Sequence, residues 1–180
     1  SGERSLGIIP IRDDNTVAFA AIDVDTYPLD HVELEARVKA LGLPLVVCRS
    51  KSGGAHLWLF IKTPGALAEN VRPKLAEWAA ELGYSGVEIF PKQDIIRNKD
   101  DVGNWINMPY YGGNEDNLRY AIVNGKRATM TQFAKEALLK MVSHDELEQI
   151  EIVEQQDILE GGPPCLNTLM RTGFPSGSRN

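Results

Sequence analysis

At 180 residues and 43% hydrophobic, the chain can bury one good core and is short for two independent domains. Cys48 and Cys165 are its only cysteines, which excludes a Cys-rich zinc or iron–sulfur site and a disulfide framework and suits a reducing cytoplasm. No stretch approaches the roughly 18 apolar residues of a membrane span, and no basic-then-apolar leader opens the chain. The net charge of −6 weighs against nucleic-acid binding, because phosphate contacts need Lys and Arg. Its distribution softens that objection. Residues 141–160 hold seven acids and no Lys or Arg, which leaves 18 acids against 19 bases elsewhere.

In chain order, Gly7–Ile11 and Val17–Asp25 read as strands joined by the turn-rich Arg12-Asp13-Asp14-Asn15. Asp30 is placed to cap a helix with Val32, Ala36, Val38 and Leu41 as apolar positions, ending near Gly42. Leu45–Arg49 and His56–Ile61 read as strands around a Ser/Gly-rich turn. A second helix carries Leu67, Val71, Leu75, Trp78, Ala79 and Leu82 at helical spacing, with Pro73 starting or kinking it and Gly83 stopping it. Val87–Phe90 and Asn104–Met108 are short strands separated by a polar loop. Leu118–Val123 and Lys126–Thr129 form a hairpin across Asn124-Gly125. Helices follow from about Thr131 and from Ser143, where Ser143 and Glu146 fit a capping box. Gly161-Gly162-Pro163-Pro164 breaks the chain before a short last helix. The alternation predicts an α/β or α+β domain on one mixed sheet.

Four strings carry chemistry. In Ile22-Asp23-Val24-Asp25 the two carboxylates share one strand face. Two like charges that close favour a divalent cation with hard oxygen ligands, Mg²⁺ or Mn²⁺; for an isolated Asp-x-Asp a solvated strand end is the better reading, and the pair gains weight only from the other strings. In Ser50-Lys51-Ser52-Gly53-Gly54-Ala55-His56, small residues let backbone N–H groups approach an anion, and the hydroxyls, Lys51 and His56 add donors. A triphosphate suits that turn; a plain hairpin loop is the alternative. It is not a Walker loop, because a strand follows rather than a helix. Glu88, in Val87-Glu88-Ile89-Phe90-Pro91-Lys92-Gln93, lies between apolar neighbours and either meets a metal or faces solvent. In Asn104-Trp105-Ile106-Asn107-Met108-Pro109-Tyr110-Tyr111, alternation puts Asn104, Ile106 and Met108 on one side and Trp105 and Asn107 on the other. Its Asn and Tyr side chains suit a nucleotide sugar or base, or simply a core.

In this order the four strings resemble the archaeo-eukaryotic primase superfamily, especially the primase-polymerases of phages, plasmids and related mobile elements. The resemblance covers roughly residues 8–125. It implies an α+β fold, an RRM-like, mainly antiparallel mixed sheet with a flanking αβ unit. It implies a template-dependent nucleotidyltransferase in which Asp23, Asp25 and Glu88 are catalytic and hold two divalent ions, Mg²⁺ or Mn²⁺. Ser50, Lys51, Ser52, Gly53, His56, Lys92 and Asn107 would bind the nucleotide, with Arg97 a further candidate for triphosphate or template. The expected partners are a single-stranded or primer-bearing DNA template, ribo- or deoxynucleoside triphosphates, and a helicase or C-terminal primase module. The expected setting is the cytoplasm of a prokaryotic or phage-infected cell, with no membrane contact. Residues 1–160 would form the catalytic domain. Residues 161–180 would be a linker into a truncated downstream primase module.

Three other readings are open to this sequence. A rolling-circle nuclease needs paired histidines, and His31, His56 and His144 are unpaired. A gap-filling polymerase would share every motif. A non-catalytic single-strand binder would carry aromatics and Lys/Arg on an exposed sheet face, without clustered acids.

Overall fold

The computed structural model describes residues 5–97 and 102–152. Cys165, the last helix and the 161–180 segment anticipated from the sequence lie outside the described residues.

Six elements form the frame. Strand β3 (Phe19–Val24) leads into α1 (His31–Ala40), β4 (Leu45–Arg49), β5 (Ala55–Phe60), α2 (Ala68–Glu81) and β7 (Glu88–Phe90). The strands lie in the order β4-β5-β3-β7, every pair antiparallel. This β-α-β-β-α-β connectivity is the split βαβ arrangement, the α+β, RRM-like core expected from the sequence. Around it lie short pairs. β1 (Gly7–Ile8) joins β8 (Ile106–Asn107), β2 (Thr16–Val17) joins β6 (Ala66–Leu67), and β9 (Ile122–Val123) joins β10 (Lys126–Arg127). Two helices follow, α3 (Met130–Leu139) and α4 (His144–Gln149).

Because side chains alternate along a strand, the sheet has two different faces. Ile22, Val24, Leu45, Val47, Leu57 and Leu59 pack against Leu34 and Val38 of α1 and Val71, Leu75, Trp78 and Ala79 of α2. Ala21, Val46, Cys48, Trp58 and Phe90 point the other way. They are covered by Ile106, Tyr110, Ala121 and Ala128, with Phe133 of α3 packed alongside. Rings run through this second core from Trp58 to Phe60 (6.3 Å), Phe133 (6.0 Å) and Tyr110 (5.4 Å). The buried Tyr110 hydroxyl donates to the Ala128 carbonyl (2.6 Å) and accepts from the Ala121 amide (2.9 Å), tying the 106–111 segment to the hairpin. The second face is therefore a covered core, and the aromatics that a single-strand binder would display there are packed.

Several expectations need correction. The helix after Asp30 forms as expected, with the Asp30 carboxylate accepting from Val32 and Glu33 amides (2.9 and 3.0 Å). Its buried positions, however, are Leu34, Glu35 and Val38, while Val32 and Ala36 face solvent. Glu35 earns burial by accepting from the Asn124 and Gly125 amides (3.2 Å each) and pairing with Lys39. Pro73 does not start α2; it lies inside the helix on an exposed side. The first strand shortens to Gly7–Ile8, which pairs with residues 106–107, while the expected turn back to the next strand survives as the Ile11–Val17 bridge and the Arg12 N to Thr16 O hydrogen bond (2.9 Å). The 17–25 strand is interrupted at Ala18, so its first residues pair with β6. The Asn124-Gly125 hairpin and the Ser143–Glu146 capping box form as expected. Among the described residues, no helix is long and apolar enough to cross a membrane.

Candidate nucleotide and metal site

The alternation that buries Ala21 on the second face also sends Asp23 there. Register then does the rest. Asp23 stands opposite His56 of β5 on one side and Glu88 of β7 on the other, and His56 stands opposite Cys48 of β4. Three titratable side chains from three strands thus share one row, at the sheet end where the cover of residues 106–133 stops. Below the row the face is apolar. Above it the chain opens into a cleft of about 380 Å³ lined by Asp23, Asp25, Ser50, Lys51, Ser52, His56 and Asn107.

The β4–β5 turn builds the far wall. Ser50 N donates to Gly54 O (2.8 Å) and Gly53 N to Ser50 O (3.2 Å), with Gly53 at a φ of 102° that favours glycine. A Cβ on Gly54 would lie 2.3 Å from the Val24 carbonyl oxygen and 3.1 Å from Asp25 Oδ1. Glycine there is what lets the turn close onto the acid pair. His31 Nε2 also reaches Gly54 O (2.9 Å). The Tyr27 hydroxyl lies 2.9 Å from Asp25 Oδ1 and 2.8 Å from Ser52 Oγ, and Ser52 Oγ is 3.1 Å from Ser50 Oγ. One chain of hydroxyls therefore links the acid pair to the turn.

The electrostatics show a site short of positive charge. Burial, then the neighbouring Asp25 and Glu88 carboxylates, push the Asp23 carboxyl up to about 6 against the opposing pull of Lys92. Asp23 Oδ1 is buried with no hydrogen-bond partner, and His56 Nε2 is 3.5 Å away. Burial pushes the His56 imidazole down to about 4, aided by Arg119 and opposed by Asp25 and a hydrogen bond to the Asn107 backbone. His56 is therefore uncharged at neutral pH. Asn107 Oδ1 is likewise buried without a partner at the edge of the cleft.

The structure thus brings seven of the anticipated residues to one cleft, and Gly53 shapes its turn. Glu88 and Lys92 do not line the cleft, although the charges of both act on Asp23. The Glu88 side chain is 59% exposed, and its Oε1 is 2.6 Å from Lys92 Nζ. Among the described residues no three His, Cys, Asp or Glu groups close around a metal position. Arg97 does not line the cleft. The fourth string differs from simple alternation, since Ile106 is buried while Asn104 and Met108, assigned to its side, are exposed. Sequence reasoning missed Tyr27 and His31, which hold the acid pair and the turn, and the buried Asp116–Arg119 pair (3.6 Å) behind His56. No motif marks them, since each acts through a contact distant in sequence or local to an irregular segment.

A split βαβ sheet thus carries an acid pair, a Ser/Gly turn and a histidine at one end. Residues 1–152 match the family model described as TOTE conflict system, Archaeo-Eukaryotic Primase domain, and the chain belongs to that family. A search of curated proteins found no match. The match supports the superfamily that the four strings resemble, with a primase-like nucleotidyltransferase fold, without singling out its phage and plasmid primase-polymerases.

Proposed function

We propose that this domain is a template-dependent nucleotidyltransferase, a primase-polymerase that joins nucleoside triphosphates to a primer or initiating nucleotide. The observation that carries the reading is the buried, unpartnered Asp23 Oδ1, with its carboxyl displaced upward first by burial and then by two neighbouring acids. Such a position calls for a cation, and its oxygen donors fit Mg²⁺ or Mn²⁺. Asp23, Asp25 and Glu88 would hold two such ions, which supply charge neutralisation at the triphosphate and activation of the attacking hydroxyl. Lys92 now provides the positive charge beside Glu88.

The chain's own groups fit the remaining tasks. Ser50, Ser52, Lys51 and the amides around Gly53 offer donors to phosphate oxygens. His56 adds a hydrogen-bonding group without adding charge. Asn107 offers an unpaired acceptor to a sugar hydroxyl or base amine. Tyr27 fixes Asp25 relative to Ser52. Phosphoryl transfer requires chiefly positioning and electrostatic support, so no protein nucleophile is needed.

The test is to incubate the domain with primed template, each nucleotide type and Mg²⁺ or Mn²⁺, beside Asp23→Ala and Glu88→Ala. Metal-dependent extension, lost in both variants, is the expected result; unprimed template then separates initiation from gap filling. A folded protein that neither extends a primer nor binds nucleotide with metal refutes the reading and favours a binding module.

A further inference from the structure

Three tryptophans stand in the chain, and two are core residues, Trp58 at 1% and Trp78 at 0% exposure. Trp105 is 59% exposed. Its indole nevertheless has a fixed seat. A Cβ added at Gly7 would lie 2.7 Å from Cε3 and 2.9 Å from Cδ2 of the ring, so the indole rests on a strand surface that only glycine leaves open. Gly7 pairs with Asn107, and directly paired residues share one face of a ribbon, so a ring lying against the Gly7 Cβ position is on the side from which Asn107 projects. Asn107 lines the acidic cleft. The indole therefore sits beside the residue that forms the cleft wall.

An aromatic face seated on glycine, continuous with a nucleotide-sized cleft, is suited to base stacking, which is tolerant of sequence because every base has a π-face. Outside residues 141–160 the acids and bases nearly balance, 18 against 19, so phosphate attraction is modest and stacking adds to strand affinity. We propose that Trp105, seated on Gly7, is a stacking platform for an unpaired base of single-stranded nucleic acid beside the cleft. This rests on the nucleotidyltransferase reading and adds the residue that holds the strand.

The test titrates the full chain with a labelled oligothymidylate, for wild type, Trp105→Ala and Trp105→Phe, reading anisotropy and acrylamide quenching of tryptophan emission. Because Trp58 and Trp78 are buried, accessible emission reports Trp105. The expected result is an about 5- to 100-fold loss of strand affinity in Trp105→Ala. Trp105→Phe should retain most of the affinity, and wild-type indole should become shielded on saturation. Thermal melts check that each variant folds; if Trp105→Ala does not, the Phe variant and the wild-type shielding decide. Unchanged affinity in Trp105→Ala, or an indole that stays accessible with strand bound, overturns the platform. So does sedimentation showing that this face is a self-association surface lost in Trp105→Ala. Nucleotide binding with Mn²⁺, measured in wild type and Asp23→Asn, tests the underlying reading separately. If it holds while strand affinity ignores Trp105, only the platform falls.

Discussion

Replacing Asp23 with asparagine keeps the shape and removes the charge, so it measures what this carboxylate costs the fold. In metal-free protein the Asp23 carboxyl lies at about 6, against 3.8 for an unperturbed group. Between those values the folded chain holds more protons than the unfolded one. Its contribution to stability is therefore full below 3.8 and is lost as pH rises through 6. At about 1.4 kcal/mol per pH unit the ionised carboxylate costs about 3 kcal/mol, and about 2 after allowing for solvent at a 17% exposed side chain. Asp23→Asn is expected to stabilise the protein by about 2–3 kcal/mol at about pH 7.5, roughly 5–10 °C in Tm, and by almost nothing near pH 4. His56 acts with the opposite sign over an overlapping window. Its folded pKa is lowered from 6.5 to about 4, so its contribution is present above 6.5 and lost as pH falls through 4. The whole-protein curve mixes the two, and the difference between variant and wild type is the diagnostic quantity. The assay is thermal melting with chelator across pH 4–8, repeated with Mn²⁺, which should raise Tm in wild type and not in Asp23→Asn. Equal melting of the two proteins at about pH 7.5, or a difference independent of pH, would refute the reasoning.

Gly54→Ala should disable the site without touching a charge, because its Cβ would meet the Val24 carbonyl at 2.3 Å and Asp25 Oδ1 at 3.1 Å. Overpacking of this kind costs about 1–3 kcal/mol, and a displaced acid pair should lower primer extension about 100-fold, read by steady-state extension beside a melt. Glu35→Ala leaves the Asn124 and Gly125 amides without their buried acceptor and should cost about 2–3 kcal/mol in urea unfolding while leaving nucleotide affinity near wild type. Lys92→Met removes the cation beside Glu88. Calorimetry should show Mn²⁺ binding about two- to fivefold more tightly in the absence of nucleotide, the scale of an exposed ion pair.

Local signals carried the parts of the fold that local physics decides. The Asp30 cap, the Asn124-Gly125 turn and the Ser143–Glu146 box each satisfy their own backbone within a few residues. The acid pair was legible for the same reason, since two residues on one strand must share a face. What alternation could not give was register between strands, and register is what sets Asp23 beside both His56 and Glu88. The pairing of Gly7–Ile8 with residues 106–107 was equally out of reach, because about a hundred residues separate partners that carry no complementary pattern. The burial of Glu35 carries no sequence signal, since a buried carboxylate is unexpected until the hairpin amides that it accepts from are known. Tyr27 and His31 are invisible for a related reason, because their value lies in a single contact to Asp25 and to Gly54.

The charge of the cleft decides how such a site works on an anionic substrate. Among its described lining residues, Asp23 and Asp25 oppose the single lysine, Lys51, and His56 is neutral at neutral pH. A triphosphate entering this cleft alone would meet net repulsion, strengthened by burial. A divalent ion reverses the sign at the position where Asp23 Oδ1 lacks a partner. It would also draw the Asp23 carboxyl back toward its ordinary range, recovering the stability that ionisation costs. Metal and nucleotide should therefore bind cooperatively, each improving the other's affinity by the same factor. A chelated sample should show no measurable nucleotide binding even where Lys51, Ser50 and Ser52 are intact. Nucleotide binding in calorimetry that is equally tight with and without Mn²⁺ would mean that the turn alone recognises the phosphates and that the acid pair serves another purpose.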